Sequence, residues 1–399
     1  MADVKRIGIL TAGGDCPGLN AVIRGVVKSA NTHGYEVVGF LKGYEGLVDP
    51  VSYIALNHKN TTGILSQGGT ILGSTNKGRF CATVGVNDRL ELDPELVAGV
   101  KTTVEQLNLS GLICVGGDGS LAVAQQFHEN GIPVVGVPKT IDNDLSSTAF
   151  TFGFFSAVFC ATDALDRLHT TAASHERVMV LEVMGRHAGW IALYAGIAGG
   201  GDVILIPEID WSFDNVCQAV LAREQKGKKF TLVVVAEGAK LPTGEMVMKD
   251  DRRKDQQQVR LGGVGNVIAQ EIERRTGKET RTVVLGHLQR GGAPTTFDRV
   301  VATQFGAHAV RLIVERKFGH MICYQPPLMG SVPIIDAITL CTVDTAGTAV
   351  QAARALGVSF GNDFHDLPFK YVPEAPTEGT ADKELVEAVA RRKARAAKA

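Results

Sequence analysis

Residues 112–120 read Leu112-Ile113-Cys114-Val115-Gly116-Gly117-Asp118-Gly119-Ser120. A short apolar run ends in a glycine pair, and a helical pattern over Ser120–Asn130 follows. That order predicts a strand feeding a helix through a tight turn. In an open parallel sheet such turns lie at the carboxyl ends of the strands, where ligands bind. A helix start offers free N–H groups and the positive end of a dipole to phosphate. Glycines let the backbone come close. Asp118 is the exception, because a carboxylate repels phosphate unless a cation intervenes. Mg²⁺, held by one or two carboxylates plus substrate phosphates, meets that need. Taken alone, the pentapeptide also reads as a tight turn with an Asp cap.

Outward from this stretch, apolar runs alternate with helical patterns. Strands are expected at Ile7–Leu10, Glu36–Phe40, Leu112–Val115, Pro133–Val137, Val178–Val183, Val203–Ile206, Phe230–Ala236 and Thr282–Leu285. Helices are expected at Pro17–Thr32, Pro94–Leu107, Ser120–Asn130, Gly153–Thr170, His187–Ala198, Phe213–Gln225, Val264–Arg275 and Thr295–Glu315. Asp15 with Pro17, and Asp93 with Pro94, fit helix starts. Continuous apolar strands between helices predict an α/β fold with parallel sheets covered on both faces. One α/β unit spans about 1–150 and a second begins near Phe150. No Pro- or Ser-rich linker separates them, so two lobes packed against each other are expected.

The chain has 399 residues, 45% hydrophobic and 21% charged, with 41 basic against 42 acidic side chains. That balance excludes the basic excess of a nucleic-acid binder and a polybasic membrane anchor. It leaves room for a phosphorylated small molecule, which a few focused arginines can hold. The 46 glycines exceed the average of about 7% and fall mostly at the ends of apolar runs. Seven cysteines without a CxxC pair read as reduced thiols of a cytoplasmic protein. The start of the chain shows no secretory pattern. Leu145–Thr162 is 18 residues without a charge, but its serines, threonines and glycine make it a buried loop and helix start rather than a membrane span.

Thr11-Ala12-Gly13-Gly14-Asp15 repeats the glycine-glycine-aspartate device after the first strand, and it is not a P-loop. Two such turns on one sheet predict a joint phosphate cradle. Pro138-Lys139-Thr140-Ile141-Asp142-Asn143-Asp144 follows the strand at Pro133–Val137 and belongs beside them. Phosphoryl transfer to an alcohol needs a base for the hydroxyl proton and positive charge on the moving group. Asp142 or Asp144 could be that base and Lys139 that charge, unless the segment is only an Asn/Asp-rich turn. Arg177, Arg186, Arg281 and Arg290 stand near strand ends, where guanidinium forks could share one sugar-phosphate pocket. Glu237 ends another strand and could accept sugar hydroxyl protons. His175 and His187 lack metal-ligand spacing.

With these residues in place, the chain closely resembles the phosphofructokinase family over about Lys5–Leu356. The motifs are TAGGDCPGLNAVIRG from Thr11, GGDGS from Gly116, PKTIDND from Pro138, EVMGRHAGW from Glu182 and LGHLQRGG from Leu285. The resemblance implies two doubly wound, mostly parallel α/β lobes with the active site between them. It implies a donor lobe over 1–150 completed by about 289–345, a fructose 6-phosphate lobe over 151–288 completed by about 346–370, and an extension over 371–399. It also implies roles. Asp142 would be the base, supported by Thr140, Asp144, Arg186 and Lys139. Asp118 would hold Mg²⁺. Gly14, Arg79, Gly117, Asp118, Gly119 and Ser120 would hold the donor. Thr140, Ile141, Asp142, Met184, Gly185, Arg186, Glu237, His287, Leu288, Gln289 and Arg290 would hold the sugar phosphate. Arg177 and Arg281 would reach the active site of a neighbouring subunit in a homodimer or homotetramer.

The donor motifs are mixed. Members that use ATP usually carry Gly after the GGD aspartate, as here at Gly119, and members that use pyrophosphate usually carry Asp. Lys139 resembles the pyrophosphate members. The short bacterial enzymes have Arg at the place of Asn76, which here has Lys77 and Arg79 nearby, and Gly at the place of Val123. An Asp at position 119 would occupy the space of a nucleotide's α-phosphate, so Gly119 favours ATP. The expected activity is therefore an ATP-dependent 6-phosphofructokinase of glycolysis. The rivals are a pyrophosphate-dependent phosphotransferase and a non-catalytic sugar-phosphate sensor. Arg24 and Lys28, four apart on one helix, read as a regulatory anion site or as a solvated basic face.

Overall fold

A computed structural model describes residues 4–75, 78–80, 90–247 and 261–362 of the chain. Asn76, Lys77 and the extension over 371–399 lie outside the described residues. The strands are β1 (Arg6–Thr11), β2 (Glu36–Phe40), β3 (Tyr53–Leu56), β4 (Leu109–Gly116), β5 (Val134–Thr140), β6 (Phe152–Gly153), β7 (Val178–Val183), β8 (Val203–Leu205), β9 (Thr231–Ala236), β10 (Thr280–Val284), β11 (His320–Gln325) and β12 (Leu328–Pro333). The helices are α1 (Leu19–Thr32), α2 (Pro94–Gln106), α3 (Asp118–Glu129), α4 (Phe154–His175), α5 (Trp190–Ala198), α6 (Phe213–Gln225), α7 (Val264–Thr276), α8 (Thr296–Val314), α9 (Ile334–Ala337) and α10 (Thr348–Ala355).

The strands form two sheets. The first is eight-stranded, in the order β12-β11-β5-β4-β1-β2-β3, with β6 beside β5. Its middle, from β11 to β2, is parallel, while β3 and β12 pair antiparallel at the edges. The second is four-stranded and parallel, in the order β10-β7-β9-β8. The apolar runs that predict these strands are buried along nearly their whole length in β1, β4, β5, β7 and β9, as a sheet covered on both faces requires.

Helices supply both covers. On the first sheet, Leu19, Val22, Ile23 and Val26 of α1 join Phe305, Ala309 and Val310 of α8 on one face. Val97 and Val100 of α2 join Leu121 and Phe127 of α3 on the other. On the second sheet, Ile268 and Ile272 of α7 pack with Val216 and Val220 of α6 against Val180 and Val233. Helices α1 and α8 cross at glycines. A Cβ on Gly25 would stand 2.7 Å from the Thr303 carbonyl, and one on Gly306 would stand 2.5 Å from that of Val22. Only hydrogen lets the two backbones approach so closely.

Residues 146–151, after Leu145, are loop, β6 follows, and α4 starts at Phe154. Among the described residues no helix is long and apolar enough to cross a membrane. Helix α4 contacts α8 on the first sheet's side and β7, β9 and α5 on the second's. One apolar cluster consequently runs from Ile9 and Val115 through Phe152 and Phe154 to Leu181 and Val234. Capping residues predict two helix starts. Asp93 does cap α2, accepting the Glu95 N–H at 2.9 Å. Helix α1 instead starts two residues after Pro17, behind Gly18 at φ 112°, with no side-chain cap.

Candidate active site

The site stands where β1, β4 and β5 end, at Thr11, Gly116 and Thr140, and where β7 and β9 end, at Val183 and Ala236. The first turn carries Gly13 at φ 77°. Beside it, a Cβ on Gly14 would stand 2.8 Å from Nη1 of Arg290. Arg290 donates to the Asp15 carbonyl at 3.1 Å, and the Lys139 ammonium donates to the Gly14 carbonyl. Lys139 is 4% exposed. Burial holds its pKa below the usual lysine range, Arg290 adds to that, and Cys16, Asp118 and Asp15 act against it. Burial also pushes the neighbouring Cys16 thiol up to about 12, so it stays protonated.

A cleft of about 370 Å³ opens here, lined by Gly13, Gly14, Asp15, Thr70 and Ser74. Thr70 and Ser74 were not expected. Ser74 Oγ donates to the Gly13 carbonyl, and Thr70 Oγ1 lies 3.0 Å from Thr11 Oγ1. The second turn follows β4. Helix α3 begins at Asp118, with the Leu121 N–H bonded to the Gly117 carbonyl at 2.8 Å. Gly119 and Ser120 thus lie in the first helical turn, as an anion site requires. The Tyr44 hydroxyl donates to the Ser120 carbonyl at 2.6 Å from beneath. Asp118 is exposed. Val123 is 1% exposed within the core cluster and does not line the cleft.

The third segment is a turn, as one of its readings had it, yet it leaves both carboxylates at the site. Asn143 takes the left-handed conformation, φ 51°, and its Oδ1 accepts the Thr151 N–H at 2.9 Å. Thr140 Oγ1 accepts the Asp142 N–H at 3.1 Å. Asp142 is half-buried, and its Oδ1 is wholly buried without a hydrogen-bond partner. Burial pushes its pKa up to about 6, against Arg290 and Lys139 and with Glu237 and Asp118. Burial, then the charges of Asp142 and Asp118, push Asp144 up to about 7. Four charged groups, Arg290, Glu237, Lys139 and Asp118, drawn from both sheets, therefore act on Asp142. Ile141 as a whole is 0% exposed in the core, so it presents no surface to a ligand.

From the second sheet come Met184, Gly185, Arg186 and Glu237. Nε of Arg186 is buried without a hydrogen-bond partner. The Glu237 N–H bonds the Val183 carbonyl at 2.8 Å, and the Gly238 N–H bonds that of Gly185 at 3.0 Å. His287 and Leu288 lie exposed on the turn Gly286–Arg290. Gln289 is fully buried instead. Its Oε1 accepts the Met184 N–H at 2.7 Å and its Nε2 donates to the Ala157 carbonyl at 3.5 Å. Its side chain positions the Met184–Arg186 turn and does not reach a ligand itself.

The arginines do not share one pocket within this chain, which corrects that expectation. Arg186 and Arg290 stand at the carboxyl ends of the strands. Arg177 precedes β7, and Arg281 pairs beside Met179 at the amino ends of β10 and β7. Six residues of strand separate those ends by roughly 17–20 Å. There Arg177 and Arg281 clasp Glu279 at 2.6 and 2.5 Å. Arg79 is also engaged, pairing with Glu45 at 2.9 Å. Any donor phosphate would share it with that carboxylate.

A family model described as Phosphofructokinase matches residues 6–313. The chain belongs to the phosphofructokinase family. The matched span contains every site residue described above. A Chloroflexus aurantiacus protein named ATP-dependent 6-phosphofructokinase is 50% identical over 361 residues, covering 90% of this chain and 98% of that protein. A Streptomyces coelicolor protein named pyrophosphate--fructose 6-phosphate 1-phosphotransferase is 47% identical over 359 residues, covering 89% and 100%. The crystal structure of Pichia pastoris phosphofructokinase in the T-state superposes with a TM-score of 0.74 at 30% identity. That match covers 92% of this chain and 38% of the yeast chain.

Proposed function

We propose that this phosphofructokinase transfers the γ-phosphoryl group of ATP to the 1-hydroxyl of fructose 6-phosphate, giving fructose 1,6-bisphosphate in cytoplasmic glycolysis. The observation that carries the reading is the buried, unpartnered Oδ1 of Asp142, ringed by Lys139, Arg290, Glu237 and Asp118. A buried carboxylate oxygen without a donor is costly to maintain. It makes sense where a substrate hydroxyl supplies the missing hydrogen bond. A base so placed takes the proton as the hydroxyl oxygen attacks phosphorus. A sugar-phosphate sensor has no use for it.

The lobe on the first sheet, 1–150 with 289–345, would take the donor. The lobe on the second, 151–288 with 346–362, would take the sugar phosphate, while 363–370 lie outside the described residues. Gly14 and the Gly117–Ser120 turn cradle the donor phosphates, and Lys139 and Arg186 face the charge that develops on the moving group. Asp118 fits a Mg²⁺ ligand by its chemistry: it is an exposed carboxylate at a helix start, among carboxyls whose pKa values its charge raises. Among the described residues no group of three metal-ligating side chains exists, which suits an ion held by one or two carboxylates and substrate phosphates. When bound, that ion supplies positive charge to the donor phosphates. Thr140, Met184, Gly185, Glu237, His287 and Arg290 orient the sugar phosphate. Arg177 and Arg281, remote from their own chain's site, would serve a neighbouring subunit in a homodimer or homotetramer.

Pyrophosphate is the second reading. The buried Lys139 beside Gly14 and the Streptomyces coelicolor relative favour it. Gly119 decides for ATP, because a side-chain carboxylate in the first turn of α3 would repel a nucleotide's α-phosphate. Gly119→Asp should reduce kcat/KM for ATP by about 100-fold, a few kcal/mol of like-charge repulsion in a shielded site. ATP kinetics unchanged by that substitution would remove the steric argument. Gln289→Leu should raise the KM for fructose 6-phosphate about tenfold, since it frees the Met184 N–H, with the ATP KM nearly unchanged. Equal changes in both constants would show that Gln289 supports the whole fold instead.

A further inference from the structure

Asn20 has no place in the reaction as described so far. It is the second residue of α1, the helix that leaves the Gly13-Gly14-Asp15 turn, and it is 2% exposed. Its Nδ2 donates to the carbonyls of Gln67 and Gly68 at 3.3 and 3.2 Å. Its Oδ1 accepts the Ile71 N–H at 2.8 Å. All three bonds leave the helix and hold one loop, residues 67–71.

That loop forms one wall of the 370 Å³ cleft, through Thr70, and Gly13-Gly14-Asp15 forms the other. Thr70 Oγ1 meets Thr11 Oγ1 at 3.0 Å and accepts the Leu72 N–H at 3.2 Å. Behind the loop, Gly68 lies so close to Gly292 that a Cβ would collide with the Gly292 carbonyl. The loop is therefore stopped on one side by the turn that carries Arg290 and tied on the other to α1. One side chain ties this wall to the helix that follows the other. We infer that Asn20 is a positioning residue that sets the width of the donor-phosphate cleft. The inference rests on the donor assignment of that cleft made above.

The test uses full-length Asn20→Asp and Thr70→Val. In Asn20→Asp a carboxylate replaces the amide donor and faces two carbonyls. The expected result is a rise of about tenfold in the donor KM, and in the dissociation constant for magnesium pyrophosphate measured by calorimetry. The fructose 6-phosphate KM should stay within about twofold. Thr70→Val, which keeps the side-chain shape and the Asn20 bonds, should raise the donor constants about threefold. Parallel rises in both KM values, or an unchanged pyrophosphate dissociation constant in both variants, would overturn the inference. A wild-type protein that turns over neither ATP nor pyrophosphate would defeat the proposed reaction, and the calorimetric comparison would still decide the role of Asn20.

Discussion

Replacing Asp142 with asparagine should lower kcat by about a thousandfold and leave the KM for fructose 6-phosphate within about twofold. The substitution keeps the shape and the backbone bond to Thr140 but removes the proton acceptor. Stability should not fall. Burial raises the Asp142 pKa in the folded chain from 3.8 to about 6, so its ionisation costs stability that builds as the pH rises between those values and is complete above about 6. Removing it relieves that opposition, and the melting temperature at pH 8 should hold or rise. The pH profile carries a second signature. The base works ionised, so wild-type kcat/KM for fructose 6-phosphate should fall as the pH drops through about 6, and the variant should lose that limb. A kcat within tenfold of wild type would rule out Asp142 as the base.

Replacing Lys139 with methionine should lower kcat by about a hundredfold, the usual loss when one charge-stabilising donor leaves a shielded site. Methionine fills much of the same buried space, so gross unfolding is not expected. The sign of a further effect follows from the surroundings. Lys139 holds the Asp142 pKa down against burial. Without that cation the carboxyl binds its proton more tightly, and the acid limb of kcat/KM should move to higher pH. The donor KM should rise as well, because the ammonium stands beside Gly14 at the cleft. A variant with near-normal kcat and an unshifted pH profile would show that Lys139 only fills space.

How much of this was legible in the sequence depended on how local each cause was. Continuous apolar runs such as Leu112–Val115 could be read as strands because burial on both faces favours apolar side chains throughout. The edge strand Tyr53–Leu56 could not, since half of it faces solvent and four residues carry little pattern. The hairpin of β11 and β12 was missed for a related reason: Leu328–Pro333 is mostly half-exposed and contains Gly330 and Ser331. The GGD and TIDND turns announced their chemistry through residue type. Asn20, Thr70 and Ser74 did not, because an amide and two hydroxyls acquire meaning only when α1 and the loop over 67–75 meet. Arginines gave the opposite error. Four guanidiniums near strand ends looked like one set, but residue type does not say which end of a strand a side chain occupies. Arg177 and Arg281 proved to stand at the amino ends.

The reaction and its donor can be tested directly in one assay. The purified chain would be incubated with fructose 6-phosphate and Mg²⁺, with ATP and with pyrophosphate in parallel, and fructose 1,6-bisphosphate measured. The prediction is rapid formation of the bisphosphate with ATP, with kcat/KM for ATP well above that for pyrophosphate. Bisphosphate formed from pyrophosphate alone would contradict the weight placed on Gly119 and make Lys139 the residue that selects the donor, and no bisphosphate from either donor would contradict the assignment of Asp142 as a working base.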